Sequence, residues 1–163
     1  TIIFGPSDGT LTISQDVVRE IDSANVTLSN FVTEVDFVNQ DDFSKRDGAH
    51  DVIFRYIEND SFNRFVIQKY IYSLYYFNTT INNEVAIKVG QINNVRSGDG
   101  ELNRISIVCK GSEVLFYVNN ELITSVHDIA ANPGNVMITD VFPDQASNPQ
   151  PTRYRNFTVW EIP

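Results

Sequence analysis

Residues 102–126 read LNRISIVCKGSEVLFYVNNELITSV, and their apolar members return at every second position: Ile105, Ile107 and Cys109, then Val114, Phe116 and Val118. A period of two belongs to strands buried on one face, because successive side chains of an extended backbone point to opposite sides of the sheet. Between the runs stand Lys110-Gly111-Ser112 and Asn119-Asn120, where Gly and Asn accept the positive φ that a tight hairpin requires. The segment predicts an antiparallel meander.

The same alternation recurs upstream. Phe31, Thr33, Val35 and Phe37 alternate with Val32, Glu34 and Asp36, which places the two carboxylates away from the aromatic side. Val52, Phe54 and Tyr56 alternate with Ile53, Arg55 and Ile57, giving Arg55 the outward parity of Glu34 and Asp36. The run RFVIQKYIYSLYYF, residues 64–77, is too long for one strand and predicts a fold-back near Gln68 to Tyr70, although no Gly marks the turn. Further strands are expected at residues 10–14, 84–89, 136–141 and 157–162, short helical turns near 15–21 and 127–131, and a loop at Asn148-Pro149-Gln150-Pro151. Many short strands punctuated by turn residues indicate an all-β, two-sheet antiparallel sandwich. With 163 residues, 42% of them hydrophobic, and neither an internal repeat nor a low-complexity linker, the chain reads as one domain with a sizeable core.

A formal charge of -9 and a pI near 4.5 argue against nucleic acid, whose binders concentrate Lys and Arg on one surface. No apolar run approaches the roughly 18 to 20 residues of a membrane span, so membrane insertion is not expected. The first residue is Thr, with no apolar leader, which suggests a processed mature protein or a domain cut from a longer chain. The sole cysteine, Cys109, sits on the apolar side of a strand and reads as a small buried hydrophobe. Sequons at Asn25, Asn59, Asn78 and Asn156 would accept glycans in a eukaryotic secretory pathway and point to an extracellular or cell-surface glycoprotein.

SDGTLTIS (7–14), NFVTEVDF (30–37), VIFRYIENDSFNRFVI (52–67), LNRISIVCKG (102–111), LFYVNNELI (115–123) and RNFTVWEI (155–162) follow one another in an order that resembles the concanavalin A-like lectin/glucanase superfamily. The motif order also resembles that of its laminin G-like and 3-keto-disaccharide-hydrolase-like branches. The resemblance implies a jelly-roll sandwich, with one sheet curved so that its concave face can hold a glycan. Residues matching its structural motifs are Phe54, Phe65, Asn103, Gly111, Val118, Asn119, Phe157 and Trp160, expected mostly in core or turns. Asn120 stands where relatives usually carry Gly, a change that Asn tolerates.

Glu34-Val35-Asp36 resembles part of the E-x-D-x-x-E motif of superfamily glucanases, and retaining glycosidases need two carboxyl groups about 5 to 5.5 Å apart. Val38 and Asn39 stand where the final Glu would be needed. The pair therefore reads as a solvated or ligand-contacting face, with hydrolysis as the rival. Arg55 is read either as holding sugar hydroxyls beside them or as a cross-strand ion pair. Of Tyr70, Tyr72, Tyr75, Tyr76 and Tyr117, Tyr72 and Tyr117 are the preferred sugar-stacking candidates, the others being shared between stacking and core. The loop NQDDFSKRDGAHD, residues 39–51, offers Asp41, Asp42 and Asp47 as oxygen ligands for calcium, though its spacing matches no EF-hand. His50 and His127 stand too far apart in sequence to suggest zinc. No nucleophile elbow, phosphate loop or dinucleotide fingerprint is present.

These readings converge on a secreted or cell-surface, non-catalytic, lectin-like domain that takes a glycan or glycoprotein through Glu34, Asp36, Arg55, Gln68, Tyr72 and Tyr117. A glycoside-processing enzyme of the same fold, and an adhesive module that uses a protein partner, are the alternatives.

Overall fold

A computed structural model describes residues 1–12, 21–39, 49–141 and 151–163. Among them lie twelve strands and no helix: β1 (Ile2–Leu11), β2 (Ile21–Ser23), β3 (Phe31–Val38), β4 (Ala49–Ile57), β5 (Ser61–Gln68), β6 (Ile71–Asn78), β7 (Asn83–Gln91), β8 (Leu102–Lys110), β9 (Glu113–Val118), β10 (Glu121–Val126), β11 (Asn135–Val141) and β12 (Thr152–Glu161). They form two six-stranded antiparallel sheets. Sheet A has the order β1-β12-β3-β8-β9-β10, and sheet B the order β2-β11-β4-β5-β6-β7.

The meander appears as β8, β9 and β10, with Gly111 at φ 57° in the first turn and Asn119 and Asn120 at φ 51° and 68° in the second. Two successive positive φ values are those of a type I′ hairpin, whose twist matches the flanking strands. The long aromatic run folds back at Lys69-Tyr70, where Lys69 itself takes φ 54°. A lysine in the left-handed region carries no sequence signature. The expected strand at 10–14 starts much earlier, as β1, and its residues 13 and 14 lie outside the described set. The helical turn expected at 127–131 is instead irregular, with Asp128 at φ 65°; of the other, residues 15–20 are not described and Ile21 opens β2.

Phe31, Val35 and Phe37 of β3, Ile105, Ile107 and Cys109 of β8, and Val114, Phe116 and Val118 of β9 face Val52, Phe54, Phe65, Ile67, Leu74, Val136 and Ile138 of sheet B, all buried in one core. Phe116 stacks on Phe65 at 4.6 Å and meets Phe54 edge-on at 5.8 Å, so the two sheets interlock through aromatic rings. Each such ring contributes roughly 1.5–3 kcal/mol by leaving water. The Cys109 thiol is free and fully buried, and burial pushes its pKa up to about 12.

Polar contacts close the sandwich at its sides. The Tyr154 hydroxyl donates to Asp22 Oδ2 from sheet A to sheet B, and Lys88 Nζ donates to the carbonyl of Ser125 at 3.1 Å. At one end, Asn103 Nδ2 donates to Asn39 Oδ1 (3.1 Å) and to the Arg96 carbonyl (2.8 Å), while Asn119 Nδ2 donates to Asn103 Oδ1 (3.1 Å). This asparagine network satisfies backbone groups of the β7–β8 connection, which would be costly to bury unpaired.

Candidate ligand-binding face

Each sheet has one face in the core and one turned away from it, and charged residues stand on both outer faces. On sheet A, cross-strand pairing sets Thr158, Glu34, Ser106 and Tyr117 in one row and Arg155, Asp36 and Arg104 in the next. Glu34, Asp36 and Tyr117 thus share a face, as their parity predicts. Arg104 Nε and Nη2 donate to Asp36 Oδ1 and Oδ2 at 2.6 and 2.9 Å, and Asn156 Nδ2 donates to Oδ2 at 2.8 Å. Burial raises the Asp36 pKa, but the hydrogen bonds from Arg104 and Asn156 and the charges of Arg104 and Arg155 outweigh it and hold the carboxyl below its usual range. An ionised carboxylate with both oxygens bonded has no proton to donate as a general acid. Glu34 accepts a hydrogen bond from Ser106 Oγ at 3.2 Å and borders a shallow depression of about 390 Å³ with Thr1, Val32, Trp160, Glu161 and Ile162.

Arg55 is not part of that face, and this corrects the outward orientation expected of it. Phe54 pairs with Val136 and Tyr56 with Asn135, so Arg55 is the extra residue of a β-bulge, at φ 51°. The bulge turns its side chain inward, where it is 2% exposed and donates to the carbonyls of Ser29 (3.0 Å), Gly111 (2.5 Å) and Ala130 (2.9 Å). The backbone passes so close to Gly134 that a Cβ there would lie 2.5 Å from the Arg55 carbonyl carbon. Tyr72 is also corrected: it is 7% exposed, belongs to the core beside Phe65, and fits there because Gly90 opposite leaves room for its ring. Gln68 is exposed at the end of β5, on the other sheet from Glu34. The six expected contact residues are therefore divided among two outer faces and the interior. Asp41, Asp42 and Asp47 lie outside the described residues, and among those described no three His, Cys, Asp or Glu side chains group as metal ligands.

Of the sequon asparagines, Asn25 and Asn59 are exposed at positive φ; Asn78 accepts from the amides of Thr80 (2.9 Å) and Ile81 (3.3 Å). Asn156 is the positive-φ residue of a bulge in β12 and uses its amide on Asp36.

The outer face of sheet B holds a second cluster that parity alone did not single out. Arg64 of β5 donates from Nε to Asp51 Oδ2 of β4 at 2.7 Å and from Nη1 to Glu84 Oε1 of β7 at 3.0 Å. Its guanidinium carbon lies 5.6 Å from the ring centroid of Tyr75 on β6. Four adjacent strands each supply one member. Ile53, Val66 and Met137 are buried on this side yet stand apart from the inter-sheet core. Side-chain exposure is 0% for Asp51, 9% for Arg64 and 34% for Glu84, so the cluster is withdrawn from water at β4 and opens toward β7. Beyond it Phe62 stacks on Phe77 at 4.9 Å, with Tyr56 5.9 Å from Phe62. The bulge at Arg55 restores Tyr56 to this face. Sequence carried one signal for the cluster: Arg64 has the parity of Gln68, but the strand pairing that brings Asp51 and Glu84 to it was not visible.

No protein-family model matches the sequence, and no curated relative is found. Solved structures do match. The carbohydrate-binding module CBM66 from Bacillus subtilis superposes with a TM-score of 0.66 at 13% identity, over 99% of this chain and 94% of that one. The fold is the concanavalin A-like jelly roll. Bacillus licheniformis beta-glucanase superposes on the jelly roll with a TM-score of 0.64 at 11% identity, over 88% of this chain and 71% of that one. Sheep galectin-11 does so with a TM-score of 0.61 at 11% identity, over 90% and 98%. Likeness at this identity establishes architecture, and modules, lectins and enzymes share it.

Proposed function

We propose that this jelly-roll domain binds carbohydrate without transforming it, on the outer face of sheet B. The observation that carries the reading is the Asp51–Arg64–Glu84 cluster, held over Tyr75 on a face that is not the core. Sugars present hydroxyls around an apolar ring face. The Glu84 carboxylate, the member that reaches water, accepts hydrogen bonds from hydroxyls, and aromatic rings such as Phe62, Phe77 and Tyr75 supply a surface for the ring. A cluster already fixed by its own ion pairs loses little side-chain freedom on binding. The carbohydrate-binding module and the galectin among the structural neighbours add support at the level of the fold.

Secretion or cell-surface display belongs to the same proposal and rests on the four sequons. A mass shift removed by an endoglycosidase, in material from secretory expression, is its check.

The decisive experiment screens the purified chain on a glycan array, then titrates the best ligand by calorimetry into wild type, Tyr75→Ala and Phe77→Ala, and into Glu34→Ala and Tyr117→Ala. Loss of binding in the first pair with retention in the second supports sheet B. The reverse pattern overturns that placement in favour of sheet A, and an array with no reproducible ligand overturns carbohydrate binding altogether.

A further inference from the structure

The reading of sheet B as a glycan site leaves the class of glycan open, and the exposure gradient across the charged cluster narrows it. Asp51 and the guanidinium of Arg64 lie at the closed end, already bonded to each other at 2.7 Å. Glu84 is the member of the triad that reaches water, and Phe77 is directly opposite it in the ladder. A ligand lying on this face therefore meets a carboxylate first. A carboxylate accepts hydrogen bonds and donates none, so its partner must carry donors.

We infer that Glu84 selects an uncharged, hydroxyl-bearing sugar and rejects sugars decorated with sulfate or carboxylate. An uncharged sugar brings hydroxyl protons to Glu84 while its ring packs on the Phe62–Phe77 pair. A sulfate or uronate brings acceptors and negative charge to the same place. The cation that would attract such a group is Arg64, and two carboxylates already compensate it, with bonds to Asp51 and Glu84. An anionic sugar gains the guanidinium only by competing with carboxylates already bonded to it, and displacing Glu84 sets two negative groups side by side in a partly dry site. The chain's charge of -9 adds a longer-ranged repulsion of polyanions.

The test uses neutral glucan, fructan, mannan and galactan oligosaccharides, each paired with its sulfated derivative, titrated into wild type, Glu84→Gln and Glu84→Asp. Wild type is expected to bind at least one neutral member and to bind its sulfated form about tenfold more weakly or worse, the size of a lost charge-assisted hydrogen bond. The gap should persist in about 0.5 M salt, where screening shortens the reach of the overall charge to a few ångströms. Glu84→Gln removes the negative charge and adds a donor, so the gap should shrink. Glu84→Asp keeps the charge and should preserve the gap while weakening the neutral ligand. Thermal melts confirm that both variants are folded, and Glu84→Asp alone retains the test should Glu84→Gln not be.

Equal or tighter binding of a sulfated member by wild type overturns the inference and leaves carbohydrate binding standing. So does a gap that vanishes at high salt or is unchanged in Glu84→Gln. Failure of every oligosaccharide to bind wild type overturns the glycan reading and the inference with it.

Discussion

The two outer faces of this sandwich carry the same pair, an arginine bonded to an aspartate on a neighbouring strand, in different surroundings. On sheet A the Arg104 side chain is 37% exposed and Asp36 5%; on sheet B the Arg64 side chain is 9% exposed and Asp51 0%. In the first case water competes for the guanidinium and screens its charge, which keeps the net contribution small. In the second, both charges are largely withdrawn from water, and Arg64 is compensated by Asp51 and Glu84 together. The comparison teaches that charged pairs of the same residue types and strand parity differ in desolvation and in neighbours, which residue identity and parity do not reveal.

The largest expected effect breaks the two pairs separately. Arg64→Ala withdraws a counter-ion from the buried Asp51 and should lower stability by about 3 kcal/mol, whereas Arg104→Ala should cost about 1 kcal/mol or less. Urea unfolding of both variants, in low and high salt, measures the difference, and only the Arg104→Ala loss should shrink with salt. Equal losses would mean that the two faces are energetically alike.

A smaller effect is expected at the bulge that places Tyr56 on the outer face of sheet B. Gly134→Ala would set a methyl group 2.5 Å from the Arg55 backbone, which cannot move aside as a flexible side chain does. The substitution should cost about 2 kcal/mol and disturb Tyr56, leaving the Arg104–Asp36 pair of sheet A intact. Thermal unfolding gives the first quantity, and the spectrum of Tyr56 against a Tyr56→Phe reference gives the second. An unperturbed melt would show that the close approach is relaxed in solution.

Much of the fold was legible because one-sided burial imposes a period of two, and that period is what residues 31–37 and 102–118 display. The site was less legible because bulges change parity without a composition signal. Arg55 alternates correctly on paper, yet one extra residue opposite Asn135 and Val136 turns it into the interior and returns Tyr56 to the outer face. Tyr72 reads as a stacking ring until Gly90 is seen across from it. Asp51 and Arg64 lie 13 residues apart and Arg64 and Glu84 20, and only the order β4-β5-β6-β7 brings the three together. Glu34 and Asp36 were placed on their true face because β3 is unbulged against β8, its register running without a shift from Phe31–Cys109 to Val38–Leu102.

The smallest effect concerns pH and separates the faces by titration. Arg104 and Asn156 hold the Asp36 pKa below its unfolded value, so this carboxylate contributes stability that is fully present above the unfolded pKa, near 3.9, and is lost as pH falls through the folded one. Asp36→Asn removes that dependence. The variant should be less stable than wild type by about 1 kcal/mol at neutral pH, since Arg104 is partly solvated, and the two should converge as pH drops below 4. Denaturant midpoints between about pH 2 and 7 measure the convergence. Glycan affinity at neutral pH should be the same for both proteins, because Asp36 serves the sheet A pair and the proposed ligand lies on sheet B. A variant whose stability loss stays constant with pH would mean that Asp36 acts through packing, and one that loses glycan affinity would move the binding face to sheet A.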